Sequence, residues 1–133
     1  MKTYLINGEN FSTLSEFFDA IERVLIPNSA WGRNFDAFND ILTGGYGTPV
    51  GGFELVWKNS NVSRIKLGYD ETVRVLSQRL MDCHPANRES VAQQIEDARN
   101  KTGPTVFDCL IEIIRDHGPQ GAEAGDNVNL RLE

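Results

Sequence analysis

Phe53, Glu54, Leu55, Val56 and Trp57 form a nearly continuous apolar run, the pattern of a strand buried inside a sheet. What surrounds this run narrows the fold sharply. Upstream, Thr3–Ile6 is short, apolar and closed by Asn7-Gly8, which reads as a strand followed by a turn. Thr13-Leu14-Ser15-Glu16 has the form of a capping box. It opens a helix whose face is Leu14, Phe17, Phe18, Ile21, Val24 and Leu25, ending before Pro27. At the far end, Val128, Leu130 and Leu132 alternate with Asn129, Arg131 and Glu133 as a final strand. Strands separated by helical stretches favour a parallel sheet with right-handed crossovers, so the chain reads as α/β.

Between Lys58 and the last strand the signal is helical. Val73, Leu76, Leu80 and Cys83 mark a helix from about Asp70 to Asp82, stopped by Pro85. A second helix over Asn87–Asn100 has only Val91, Ile95 and Ala98 on its face and is expected at the periphery. Pro104 suits a first helical turn. Val106, Phe107, Leu110, Ile111, Ile113 and Ile114 then cover a wide face, and His117-Gly118 is a C-terminal stop where the helix dipole favours His. Pro119–Asp126 is expected to be a polar, mobile loop. The 133 residues are one domain's worth of chain, with no repeat and no boundary.

The chemistry-bearing feature lies between the first two strands. With Asn34–Leu42 taken as a helix, Phe35, Phe38, Ile41 and Leu42 fall on one side, and Asp36 and Asp40 fall opposite. Two like charges four residues apart disfavour an isolated helix by about 0.2–0.5 kcal/mol. The dipole favours an anion at Asp36, near the N-terminus, and disfavours one at Asp40. Asp40 therefore has no evident structural reason to be there. Acidic pairs are common on solvated helix faces, so the pair alone says little. Trp31-Gly32 before the helix and Gly44-Gly45-Tyr46-Gly47-Thr48-Pro49 after it add backbone freedom and aromatics, the composition of a protein-binding surface.

A net charge of −6 without any cluster of Lys or Arg argues against nucleic acid as a direct ligand. It fits a basic protein partner. The first ten residues lack the apolar core of a signal peptide, and no stretch approaches a membrane span, so a cytoplasmic protein is expected. Cys83 and Cys109 share no metal-ligand spacing and are expected as reduced thiols, and neither a metal nor a cofactor is implied. Enzyme chemistry does not assemble. The glycine-rich loop at 44–52 lacks the Lys-Ser/Thr pair of a phosphate-binding loop. His84 and Cys83, being adjacent, point in different directions. Acid–base work by Asp36 and Asp40 would require opposed groups flanking a substrate, not neighbours on one helix. Asp108 and Glu112 form a second acidic pair, for which a solvated face accounts at Asp108.

The segment Leu25–Gly44 resembles the signature of the barstar family, intracellular inhibitors of the secreted bacterial ribonuclease barnase. Pro27, Gly32, Asn34, Asp36, Ala37, Asp40, Leu42, Thr43 and Gly44 fall where that pattern expects them. Leu5–Phe18 resembles the family's first strand, Asn-Gly turn and first helix. The resemblance covers about residues 4–58 and again 104–133, with 59–103 set apart as a helical insertion. It implies a three-stranded parallel sheet with helices packed against it, plus the inserted helices. It also implies that Asp36 and Asp40 meet the cationic groups of a ribonuclease active site, with Glu112 as a third acidic contact and Trp31 and Gly32 in the binding loop. Three departures fall on the same surface: Ala30 stands for an aromatic, Arg33 for a Glu and Asn39 for an exposed Trp. The expected partner-binding set is therefore Asp36, Asp40, Trp31, Gly32, Arg33, Asn39 and Glu112. The expected partner is a basic secreted ribonuclease or nuclease toxin, bound by a chain that is a monomer when free. The departures also motivate a second reading, a non-inhibitory acidic module for a different basic partner. An enzyme built on Asp36 and Asp40 ranks below both.

Overall fold

Three parallel strands lie side by side in their order along the chain, and this sets where every helix must go. The computed structural model describes residues 1–45 and 47–133, so Tyr46, one of the aromatics flanking the acidic helix, lies outside the described residues. The strands are β1 (Thr3–Asn7), β2 (Phe53–Lys58) and β3 (Val128–Leu132), with β2 central. The helices are α1 (Leu14–Leu25), α2 (Phe35–Thr43), α3 (Ser60–Lys66), α4 (Tyr69–Asp82), α5 (Arg88–Arg99) and α6 (Val106–Asp116). Crossovers of one hand between strands in sequential order carry all connections over the same face of the sheet. The register aligns Tyr4 with Leu55 and Leu130, and Ile6 with Trp57 and Leu132, on that covered face.

The other face is open. Thr3, Leu5, Lys58 and Arg131 are exposed there, and Leu5 retains 47% of its accessible surface. Parallel sheets are usually covered on both faces. Here the nearly continuous apolar run at 53–57 reflects a central strand with a neighbour on each edge: Val56, on the open face, is buried between the register positions of Leu5 and Arg131. Beside it, Glu54 accepts a hydrogen bond from the Thr3 hydroxyl at 3.4 Å and faces the Arg131 guanidinium at 3.8 Å.

Trp57 organises the covered side. Its ring stacks on Phe17 of α1 at 5.2 Å, meets Phe107 of α6 at 5.2 Å and leans on Phe11 at 5.9 Å. Its indole N–H donates to the Ser63 hydroxyl of α3 at 3.0 Å. Phe17 carries the contact on to Phe38 of α2, edge-on at 5.5 Å. Complete burial of side chains of this kind stabilises by about 1.5–3 kcal/mol each. Gly8 is required where α3 crosses: a Cβ there would lie 2.3 Å from the Ser63 hydroxyl and 2.4 Å from the Asn59 carbonyl oxygen.

The segment 59–103 holds three helices rather than the two expected. α3 is too short to show a period, and its Ile65 is 81% exposed. α4 is bound into the fold by two adjacent residues of its first turn. The buried carboxylate of Glu71 accepts from the Leu14 amide at 2.7 Å and is gripped by Arg74 through two bonds of 2.6 Å. The Thr72 hydroxyl accepts from the Val106 amide at 2.9 Å. The first amides of a helix have no partner within it, so α4 supplies one to α1 and one to α6. α5 is peripheral, as its thin face suggests: Val91, Ile95 and Ala98 join Leu76 of α4 in a second, smaller apolar cluster.

Three expectations in and around α6 are corrected. Pro104 lies outside the helix, which starts after a Thr105 cap, and the Asp108 carboxylate accepts a hydrogen bond from the Thr105 amide at 3.0 Å. Asp108 thus completes a capping box and is not merely a solvated acid. The stretch Pro119–Asp126 is tied rather than loose. The Glu123 amide donates to the Asp116 carbonyl at 2.7 Å, and Asp126 closes a 3₁₀ turn and reaches His117.

Replacing Glu71 tests the role of α4. Glu71→Ala leaves the Leu14 amide without its buried acceptor and is expected to lower stability by about 1–3 kcal/mol in chemical denaturation. A change below about 0.5 kcal/mol would place α4 outside the cooperative fold.

Candidate protein-binding surface

α2 is delimited by its own caps. The Asn34 side chain accepts from the Ala37 amide at 2.7 Å. Gly44, at φ 98°, ends the helix, and its amide reaches the Ile41 carbonyl at 3.2 Å. The Thr48 hydroxyl donates to that same carbonyl at 2.8 Å. The helix therefore runs one residue later at each end than Asn34–Leu42. Phe38, Ile41 and Leu42 are buried, and Phe35 is half-buried beside Phe18. Asp36 and Asp40 are exposed, and among the described residues neither carboxylate accepts a hydrogen bond or pairs with a cation. Their mutual repulsion is left uncompensated within the chain.

Arg33 does not offset this charge. Its backbone is left-handed, at φ 53°, and its guanidinium turns back onto α1. There it meets Asp19 at 2.6 Å and the Ser15 carbonyl at 3.1 Å, with Glu22 at 3.9 Å. Trp31 is half-buried rather than displayed. Its indole N–H donates to Glu22 at 3.1 Å, and its ring sits edge-on to Phe18 at 5.3 Å. Gly32 is exposed, but a Cβ there would lie 3.2 Å from both the Ala37 Cβ and the Asn34 amide nitrogen, so the loop is tight against the start of α2. Ala30 is exposed and offers only a methyl group.

His117 does more than end α6. Its ring is 1% exposed, with Nδ1 2.6 Å from Asp126 Oδ2 and Nε2 2.7 Å from Asn39 Oδ1. A neutral imidazole donates from one nitrogen only. Both contacts are satisfied either by a doubly protonated ring or by an Asn39 amide turned so that its nitrogen donates. In either form Asn39 is latched to α6, so the residue expected as a surface contact also holds α2 in place. The two partners lie 78 and 9 residues away from His117, and no local pattern announces such a triad.

Glu112 is exposed on α6, opposite the buried face of Val106, Leu110 and Ile114. Since Asn39 and His117 join α2 to α6, Glu112 and the α2 carboxylates point away from the core on adjoining helices. Glu112 borders an open groove of about 500 Å³ with Arg64, Asp108 and Arg115, where Arg64 lies 4.7 Å above the Phe107 ring. Cys109, one turn earlier, and Cys83 are free. Burial pushes the Cys109 thiol up, Glu112 and Asp108 push it further, and Arg79 pulls it back. Arg79, absent from the expected set, places its guanidinium 5.8 Å from the centre of the Phe35 ring.

A family model described as barstar (barnase inhibitor) matches residues 1–95, and the chain belongs to the barstar family. Members of that family bind barnase-type ribonucleases and are inhibitors rather than enzymes. Comparison with curated proteins returns no match. The matched residues include all of α2 and run through α4 into α5, well inside the segment that the resemblance sets apart; Glu112 lies beyond them. Among the described residues no helix is long and apolar enough to cross a membrane.

The site separates residues that display charge from residues that hold the frame. Asp36→Ala and Asp40→Ala should change stability by no more than about 0.5 kcal/mol, whereas His117→Ala, leaving Asn39 and Asp126 unpaired, should lower it by about 1–3 kcal/mol. Thermal or denaturant melts distinguish the two classes. Near neutral pH, Cys109 should alkylate more slowly than free cysteine, and removing the Arg79 charge should slow it further.

Proposed function

We propose that the chain is a cytoplasmic ribonuclease inhibitor, an immunity protein that blocks a basic secreted nuclease by presenting carboxylates where RNA phosphates would bind. The observation that carries this reading is the free pair on α2. Asp36 and Asp40 are exposed to solvent, unpaired among the described residues, on a helix whose other side is locked into an aromatic core. A surface fixed in this way presents anions without first ordering them, so less is lost on binding. Membership of the barstar family supports the kind of partner, and the net charge of −6 supports fast encounter with a basic one. Glu112 adds a third carboxylate on the adjoining helix. Trp31 and Gly32 shape the approach: the tryptophan braces the loop, and the glycine lets it pass close to Asn34 and Ala37.

One observation favours the second reading, a non-inhibitory acidic module. With Trp31 held by Glu22, Asn39 latched to His117 and only a methyl at Ala30, the described surface displays no large aromatic of the kind that dominates binding hot spots. Such a module would bind a basic protein other than a nuclease through the same carboxylates.

Inhibition of barnase by the parent chain and by Asp40→Ala separates the readings. The inhibitor reading expects the substitution to weaken inhibition by at least about tenfold, or 1.4 kcal/mol. It also expects association to slow as salt is added. Undiminished inhibition by Asp40→Ala contradicts the role given to the pair. No inhibition by the parent, together with one-to-one recovery of a non-nuclease from cytosol, favours the module.

A further inference from the structure

The structure sets an unpaired cation beside the start of the acid-bearing helix α2. Arg79 projects from α4 onto the ring of Phe35, the residue that precedes Asp36 on α2, with its guanidinium 5.8 Å from the ring centre. Phe35, Arg79 and Cys109 line one cleft walled mainly by α4, α5, the 102–105 turn and the start of α6, with Asp97 of α5 in the same lining. The Cys109 thiol feels Arg79 as well as Asp108 and Glu112, so the guanidinium lies within electrostatic range of that thiol on α6. Arg79 is exposed, and among the described residues it pairs with no carboxylate. Its platform is firm, because Glu71 and Thr72 bind α4 to the first turns of α1 and α6.

Bulk charge alone gives no reason for this arrangement. A cation amid acids weakens the attraction that draws a basic enzyme in. A ribonuclease, however, cannot be lined with cations only. To move a proton from the ribose hydroxyl it needs a base, and a carboxylate set among phosphate-binding groups serves that purpose. An inhibitor that presented only carboxylates would meet that base with like-charge repulsion. A guanidinium among its acids turns the repulsion into a charge-assisted, two-pronged hydrogen bond.

Resting on the inhibitor reading above, we propose that Arg79 is a specificity-determining contact that pairs with a carboxylate in the active site of the bound ribonuclease. α4 then extends the docking surface beyond α2, and the partner it fits carries an acid among its cations. A cation–π contact with Phe35, at 5.8 Å, favours this placement of the guanidinium.

The test measures association and dissociation rates with barnase for the parent chain, Arg79→Ala, Arg79→Lys, Arg79→Glu and Asp40→Ala. Circular dichroism confirms that each is folded. The expected result is at least a tenfold loss of affinity for Arg79→Glu, carried mainly by faster dissociation, a smaller loss for Arg79→Ala, and substantial retention by Arg79→Lys. Arg79→Ala and Arg79→Glu binding as tightly as the parent, or more tightly through faster association, overturns the proposal while a weakened Asp40→Ala leaves the inhibitor reading standing. A parent chain that does not bind barnase, or an Asp40→Ala variant with parental affinity, overturns both.

Discussion

The stacking of Trp57 on Phe17 is the contact on which the arrangement depends. Trp57 lies on the middle strand, so whatever touches it is fixed relative to the whole sheet. Phe17 ties α1 to it, Phe107 ties α6, and the indole N–H ties α3 through Ser63. Phe17 then meets Phe38, which makes the placement of α2 a consequence of the same cluster. Because the strands follow one another in order, all of these helices share one face, and α2 and α6 come to lie side by side. That adjacency sets the outward-facing carboxylates of the two helices on neighbouring elements.

Rigidity and display are divided between neighbouring residues of α2. Phe38, Ile41 and Leu42 bury into the core, Asn39 is gripped by the enclosed His117, and Asp36 and Asp40 are left to solvent. The loop before the helix is treated in the same way. Trp31 and Arg33 are both drawn back onto α1 through Glu22 and Asp19, which pairs the Arg33 charge with acids of α1. The surface therefore keeps its negative character despite the Arg. The repulsion between Asp36 and Asp40 persists in the free chain, and a cationic partner of the kind proposed would relieve it on binding.

Much of the frame was legible because it rests on local periods. The faces of α1, α4 and α6, the alternation in β3 and the thinness of α5 all appear as spacing, and the cap of α1 appears as Thr13, whereas Asn34 reads as part of α2 rather than as its cap. What escaped the sequence was carried by long-range contacts. Glu71 and Thr72 look like ordinary first-turn residues until α1 and α6 arrive to be capped. His117 looks like a dipole-favoured helix end until Asn39 and Asp126 close on it. α3 is too short for a period to emerge, and the open face of the sheet follows from strand order, which no single segment encodes. At the site, the outward placement of Asp36 and Asp40 could be read from the helix alone, whereas the inward turn of Trp31 and Arg33 and the position of Arg79 required the packed chain.

The central claim is geometric: the outer side of α2 enters a cationic active site. A crystal structure of the chain bound to barnase tests it most directly. The account predicts the Asp36 and Asp40 carboxylates within ion-pairing distance, about 4 Å, of the enzyme's cationic side chains, with α2 filling the mouth of the substrate cleft. A complex in which α2 remains in solvent, while the open face of the sheet or α5 makes the contact, would contradict it.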